Sequence, residues 1–167
     1  MTFKKTLAIL VLFSLLVSVT ACGDEPDVKN VISKMLACEL TAPAGKIYIS
    51  DAAPGTDEYI SDSLFSALFP KSGEPKLIES YAIRISSFTA PYEYAVFKAK
   101  TIDDTEQIAK MCYGRIESAK ALMTRNGSDT ASQLPSFAVV HITGKYVIYA
   151  MTDANDRFID AAKKALH

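Results

Sequence analysis

The sequence predicts an α+β domain: a mainly antiparallel sheet with helices packed on one face. Three observations carry this expectation. Residues 77–88 and 92–101 alternate side chains with period two, the mark of half-buried strands. Residues 137–152 hold two more strand-like runs around Gly144-Lys145, a two-residue connection with glycine where a type II′ turn wants it. Residues 104–123 and 153–167 space apolar side chains three and four apart, as amphipathic helices do. In the second half of the chain the order strand, strand, helix therefore occurs twice. It is a repeat of elements and not of residues. Hairpins followed by helices favour an antiparallel sheet covered on one side.

The elements follow a leader. Lys4 and Lys5 precede an uncharged run rich in Leu, Val and Ile from Thr6 to Val19. That run is shorter than the ~20 apolar residues of a spanning helix and matches the apolar region of a signal peptide. It ends in "VTAC", Val19 to Cys22, an aliphatic residue and two small ones before a cysteine. This is the pattern of a bacterial lipobox. The thiol accepts a diacylglyceryl group, and small neighbours admit the peptidase. The expectation is a signal peptide over residues 1–21 and lipidation of Cys22. Residues 22–27 would form an acidic solvated tether, and residues 28–167 a single domain. Two acyl chains hold a protein stably where one binds only marginally. The expected location is the outer face of the cell membrane.

The whole chain has 167 residues, with 18 Lys and Arg against 19 Asp and Glu. Two of the basic residues and none of the acidic ones lie in the leader. The remainder therefore carries 16 against 19, a formal charge of −3. No basic stripe for nucleic acid is expected from such a balance.

Residues 28–39 read as an amphipathic helix, with Val28, Val31, Met35 and Cys38 on its apolar side. Pro43 and Gly45 break it. Residues 46–50 form a short strand and 51–59 a loop. A short helix follows, capped by Ser61 or Asp62, with Leu64, Phe65 and Leu68 as anchors and Pro70 beyond its end. "KSGEP" is a turn. The strands 77–88 and 92–101 are joined through "TAP" as a hairpin. In the second strand, Ala95, Phe97 and Ala99 face the helices, and Tyr94, Val96, Lys98 and Lys100 face away. Asp103 or Asp104 caps the next helix, with Glu106 completing a box-like start and Asn126-Gly127 ending it. Residues 128–136 are loop. The closing helix turns Phe158, Ile159, Ala162 and Leu166 inward.

The second half is similar to a family of small lipoproteins common in Gram-positive anaerobes, known as domain of unknown function four-three-five-eight. The likeness rests on "YAIRISS", "YEYAVFKAKTIDD", "RIESAK" and "VVHITGKYVIYAMTD", and on the lipobox with its acidic tether. It covers about residues 57–166, and these motifs are packing patterns. The resemblance implies a lipid-anchored envelope domain and supplies no catalytic residues. The stretch "LTAPAGKIYISDAAPGTDEY" departs from it.

Residues that could carry chemistry are few. His141 lies mid-strand among apolar neighbours and His167 is terminal, so a triad lacks its parts. Cys38 and Cys112 are an even pair open to a disulfide in an exported protein. Each also falls on an apolar helix side, where it would be a buried thiol. Neither they nor the acids Asp51, Asp57, Glu58 and Asp62 have the spacing of a zinc or calcium site, so no metal and no cofactor are expected. "NGS" at Asn126 matches a glycosylation sequon of little meaning in a bacterial lipoprotein. No phosphate-binding or nucleophile motif occurs.

Tyrosine usage is the remaining clue: eight tyrosines and no tryptophan. Tyr92, Tyr94, Lys98 and Lys100 either simply border the sheet, as surface aromatics commonly do, or make a binding strip on an uncovered sheet face, unless the N-terminal helix covers that face and turns the rings into core. The expected role is a non-catalytic interaction module of the envelope. A binding protein for a small ligand or wall glycan is the alternative, and an enzyme is the least favoured.

Overall fold

The computed structural model describes residues 25–40, 42–70, 75–86, 92–126 and 134–167. Its sheet has five strands: β1 (Lys46–Ile49), β2 (Ile78–Ile85), β3 (Glu93–Ala99), β4 (Val139–Thr143) and β5 (Tyr146–Met151). The spatial order is β1-β2-β3-β5-β4, and every neighbouring pair is antiparallel. The helices are α1 (Val28–Leu36), α2 (Asp62–Leu68), α3 (Thr105–Asn126), α4 (Leu134–Phe137) and α5 (Asn155–Ala165). The architecture is α+β, as the sequence predicts. Among the described residues no helix is long and apolar enough to cross a membrane.

The helices lie on both faces of the sheet, which corrects the expectation of one covered face. On one side Ala95, Phe97, Val147 and Tyr149 pack with Phe65 and Phe69 near α2 and with Ile108, Cys112 and Ile116 of α3. On the other side Tyr94, Val96, Ile148 and Ala150 pack with Val31 and Met35 of α1 and Phe158 and Ala162 of α5. The physical reason is that α1 and α5 each carry an apolar stripe that must leave water. The second sheet face is the surface available to both. A buried aromatic or aliphatic side chain contributes ~1.5–3 kcal/mol, so an uncovered face would forfeit many such terms.

The element ends follow local chemistry. Asp27 caps α1 by accepting from the Lys29 backbone at 2.9 Å. Ser61 caps α2 through the Leu64 N–H at 3.3 Å. The cap before α3 is Thr101 and not Asp103 or Asp104. Its N–H and hydroxyl both donate to Asp104 Oδ2, at 3.0 and 2.7 Å, across a short 3₁₀ turn Ile102–Asp104. Gly144 has φ 54°, while no described non-glycine residue has positive φ. A left-handed first turn residue followed by an ordinary one is the type II′ pattern expected there.

The sheet has two distinct ends. At one end stand Ile78, Ala99, Thr143 and Tyr146 with the Gly144-Lys145 turn. At the other stand Ile85, Glu93, Val139 and Met151, continuing into the loop before α5. The seven residues of β3 separate the ends by ~20 Å. The "TAP" link, most of the "KSGEP" turn and the sequon beyond Asn126 lie outside the described residues, as do the leader and Cys22.

Candidate functional site

The expected binding strip is not an exposed strip. Tyr94 is fully buried and Tyr92 nearly so. They belong to the α1–α5 side of the core, because those helices cover the face on which the two rings lie. The Tyr94 ring packs 4.8 Å from that of Phe158, and the Tyr92 ring 6.2 Å from it. Lys98 is drawn into ion pairs at the far end of β3. Lys100 alone of the four is exposed. The structure therefore splits the set: the tyrosines go to one end of the sheet and the lysines to the other.

The tyrosines join a partly buried polar network that runs out to solvent at Asp153. Arg84 Nε meets Glu39 Oε1 at 2.8 Å, and the Tyr94 hydroxyl donates to the same oxygen at 3.0 Å. Arg84 also donates to the backbone carbonyls of Tyr92 and Pro43. Gly45 lets the chain pass close over this arginine: a Cβ there would stand 2.6 Å from the Ile85 carbonyl oxygen. The Tyr92 hydroxyl donates to Asp153 at 3.4 Å. Burial, then the charges of Asp153 and Glu39, push the Tyr92 phenol up to about 12. Burial and the bond to Glu39 raise Tyr94 further.

A second network lies on the opposite face. Arg115 Nε donates to Glu93 Oε2 at 2.9 Å, its Nη2 donates to Oε1, and the Tyr149 hydroxyl donates to Oε2 at 2.8 Å. Glu93 and Arg115 are buried, and no buried side-chain polar atom among the described residues is left without a partner. Burial alone would lower the Arg115 pKa; the hydrogen bond and charge of Glu93 outweigh it and raise it. This closed arrangement holds α3 to β3 and presents no group to solvent.

Cys38 and Cys112 are free and lie on opposite sides of the sheet, so of the two readings open to them the packed thiol holds and the disulfide does not. Cys112 is buried against the α2–α3 face. Cys38, just past α1, packs against the other face, and its Sγ donates weakly to the Lys34 carbonyl at 3.6 Å. The acids expected as a loop are spread. Asp51 pairs with Lys29 at 2.6 Å, Asp57 with Lys46 at 3.6 Å, and Asp62 sits in the first turn of α2. Among the described residues no three His, Cys, Asp or Glu side chains gather in a metal-holding group. His141 is half-buried on the edge strand β4.

The candidate site is an open groove of about 810 Å³ at the tyrosine end of the sheet. It is lined by Leu134, Phe137, Val139, Asp153, Asp156 and Arg157, among others. Asn155 builds it. Its Oδ1 accepts from the Thr152 N–H and hydroxyl at 2.7 and 3.0 Å, and its Nδ2 donates to the Phe137 carbonyl at 2.7 Å. One buried side chain thus fixes α4 against the start of α5. Phe137, at the end of α4, stands 65 % exposed beside the groove's carboxylates. The exposed ring can stack on an apolar surface, and the carboxylates of Asp153 and Asp156 can accept hydrogen bonds from hydroxyls or amides.

The sequence predicts a strand from Phe137 and a loop over residues 128–136, whereas Phe137 ends the short helix α4. Pro135 was the available signal, since proline suits the first turn of a helix. Four residues are too few to show a helical period.

No family model matches the chain, and no curated protein and no solved structure matches it. The site therefore rests on its own geometry.

Proposed function

We propose that this chain is a lipid-anchored, extracytoplasmic lipoprotein of the cell envelope that acts as a non-catalytic interaction module. The observation that carries the reading is "VTAC": Cys22 follows a basic, apolar leader of signal-peptide length. The mature chain would be held in the outer leaflet face of the membrane through a diacylglyceryl group on Cys22. The charged groups of its two polar networks are bonded to structural partners, and the groove carries an aromatic ring with carboxylates rather than a nucleophile beside a base.

The test is expression of the full chain in a Gram-positive host fed an alkyne-tagged fatty acid. The label should enter the protein and disappear in Cys22→Ser, which should also leave the membrane fraction. Retention of the label in that variant would overturn the assignment.

A second reading is favoured by the groove itself: an exported binding protein for a small ligand or wall glycan, with Phe137 stacking on the ligand and Asp153 and Asp156 accepting its hydroxyls. Titration with soluble wall-glycan fragments decides between the readings. Saturable binding lost in Phe137→Ala favours the ligand-binding protein, and its absence favours the interaction module.

A further inference from the structure

The acidic tether is not free over its described part, which corrects the expectation for residues 25–27. Glu25 stands between two lysines, Oε2 2.7 Å from Lys98 Nζ and Oε1 3.0 Å from Lys145 Nζ. Lys98 also pairs with Glu79 at 2.6 Å. The Tyr146 hydroxyl donates to the Pro26 carbonyl at 2.7 Å, and Asp27 caps α1. Three successive residues are thus fastened at the end of the sheet that carries the Gly144-Lys145 turn.

Cys22 precedes Glu25 by only three residues. Three residues of extended chain reach at most ~10 Å. The sheet end where Glu25 is held lies ~20 Å from the end with the groove. An anchor at Cys22 is too short to let the groove end approach the lipid while Glu25 stays docked.

We propose that the docked tether sets the orientation of the anchored protein. The end bearing the β4–β5 turn rests on the lipid headgroup surface, and the groove at the opposite end points outward. This rests on lipidation of Cys22. The membrane-facing end has suitable chemistry. Ile102 is 61 % exposed there, two residues past exposed Lys100 and three past Ala99, whose N–H donates to the Lys145 carbonyl, so one apolar side chain can enter the headgroup layer with a lysine beside it. Asp103 and Glu79 sit at the same end, so its charge is mixed. Covalent attachment and the docked tether hold the surface in place, and charge alone would not.

The experiment uses the full chain processed in a Gram-positive host, in a Cys38→Ser background. One variant carries Ile102→Cys and another Phe137→Cys, each bearing a fluorophore. The purified lipoproteins are returned to phosphatidylglycerol–phosphatidylcholine vesicles containing a headgroup spin label. The mass of the N-terminal peptide reports lipidation in the same samples. The probe at position 102 should be quenched at least about twofold more than that at 137, given the ~20 Å between the ends. Adding Glu25→Ala should shrink the contrast. Lipidated protein with equal or reversed quenching overturns the orientation and leaves the anchor standing. A Cys22 without a diacylglyceryl group overturns the anchor and the orientation with it.

Discussion

The Arg115 guanidinium meets the Glu93 carboxylate in a two-pronged ion pair sealed between α3 and β3, with the two side chains only 3 % and 1 % exposed. Such a pair adds little net stability over apolar packing, because both ions lost their water. Removing one partner is different, since it strands the other charge. Arg115→Met should therefore cost ~3–5 kcal/mol in urea unfolding at neutral pH. In the double variant Arg115→Met, Glu93→Gln the loss should be smaller, because no ion remains unpaired. Equal losses in the two variants would show that the pair is not what holds α3 down.

Tyr94 tests which face of β3 is inside. Tyr94→Phe removes only the bond to Glu39 and should cost about 1 kcal/mol. Tyr94→Ala also leaves a cavity against Phe158 and should cost ~3–5 kcal/mol. Lys100→Ala, on an exposed position past the strand, should stay within about 0.5 kcal/mol. A Tyr94→Ala protein that melts with its parent would place this ring outside the core.

Much of the fold was legible because each strand and helix carries its own local pattern. The β4–β5 turn was visible in Gly144, and the closing helix in Phe158, Ile159 and Ala162. The sequence leaves open whether the N-terminal helix covers the second sheet face, because period two reports alternation and not what covers each side. A signal was present in β5: "YVIYAM" has no charged residue on either face, as expected for a strand buried on both. Tyr94 misled because tyrosine suits a surface and a core equally when its hydroxyl has a partner such as Glu39. The Glu25 clamp and the groove left no local trace. Glu25 meets Lys98 and Lys145 across long stretches of chain, and a salt bridge has no period to detect.

Alkaline pH should unfold the domain through its tyrosines. Burial is the first cause raising Tyr81, Tyr92, Tyr94, Tyr146 and Tyr149 above the ordinary value of 10.0, with Tyr92 pushed up to about 12. A folded pKa above the unfolded one means stability that is whole below pH 10 and lost as pH rises through the folded value. Thermal stability should be level with respect to these groups up to about pH 10 and fall steeply from there towards pH 12. Tyrosinate absorbance should appear together with loss of circular dichroism. Ionisation of these five rings in a folded protein below pH 10 would contradict their burial.

The last test separates the two cysteines. Cys112 is fully buried among the residues of the α2–α3 face, and desolvation raises its thiol pKa well above the ordinary value. The reactive species is the thiolate, so Cys112 has neither the access nor the ionisation that alkylation needs. Cys38 is half-buried at the end of α1 and reaches solvent. The sheet lies between them. Packed on opposite faces of the sheet, they cannot bring their Cα atoms within the ~7 Å that a disulfide tolerates. In native protein an alkylating reagent should therefore modify Cys38 within minutes and reach Cys112 only as fast as the domain opens. Urea should abolish the difference. Mild oxidants should leave both thiols titratable after denaturation, apart from dimers formed through Cys38. A Cys38–Cys112 peptide in a non-reducing digest of protein never unfolded would require the two cysteines on the same side of the sheet. It would overturn the layer order on which the buried tyrosines and the outward groove both depend.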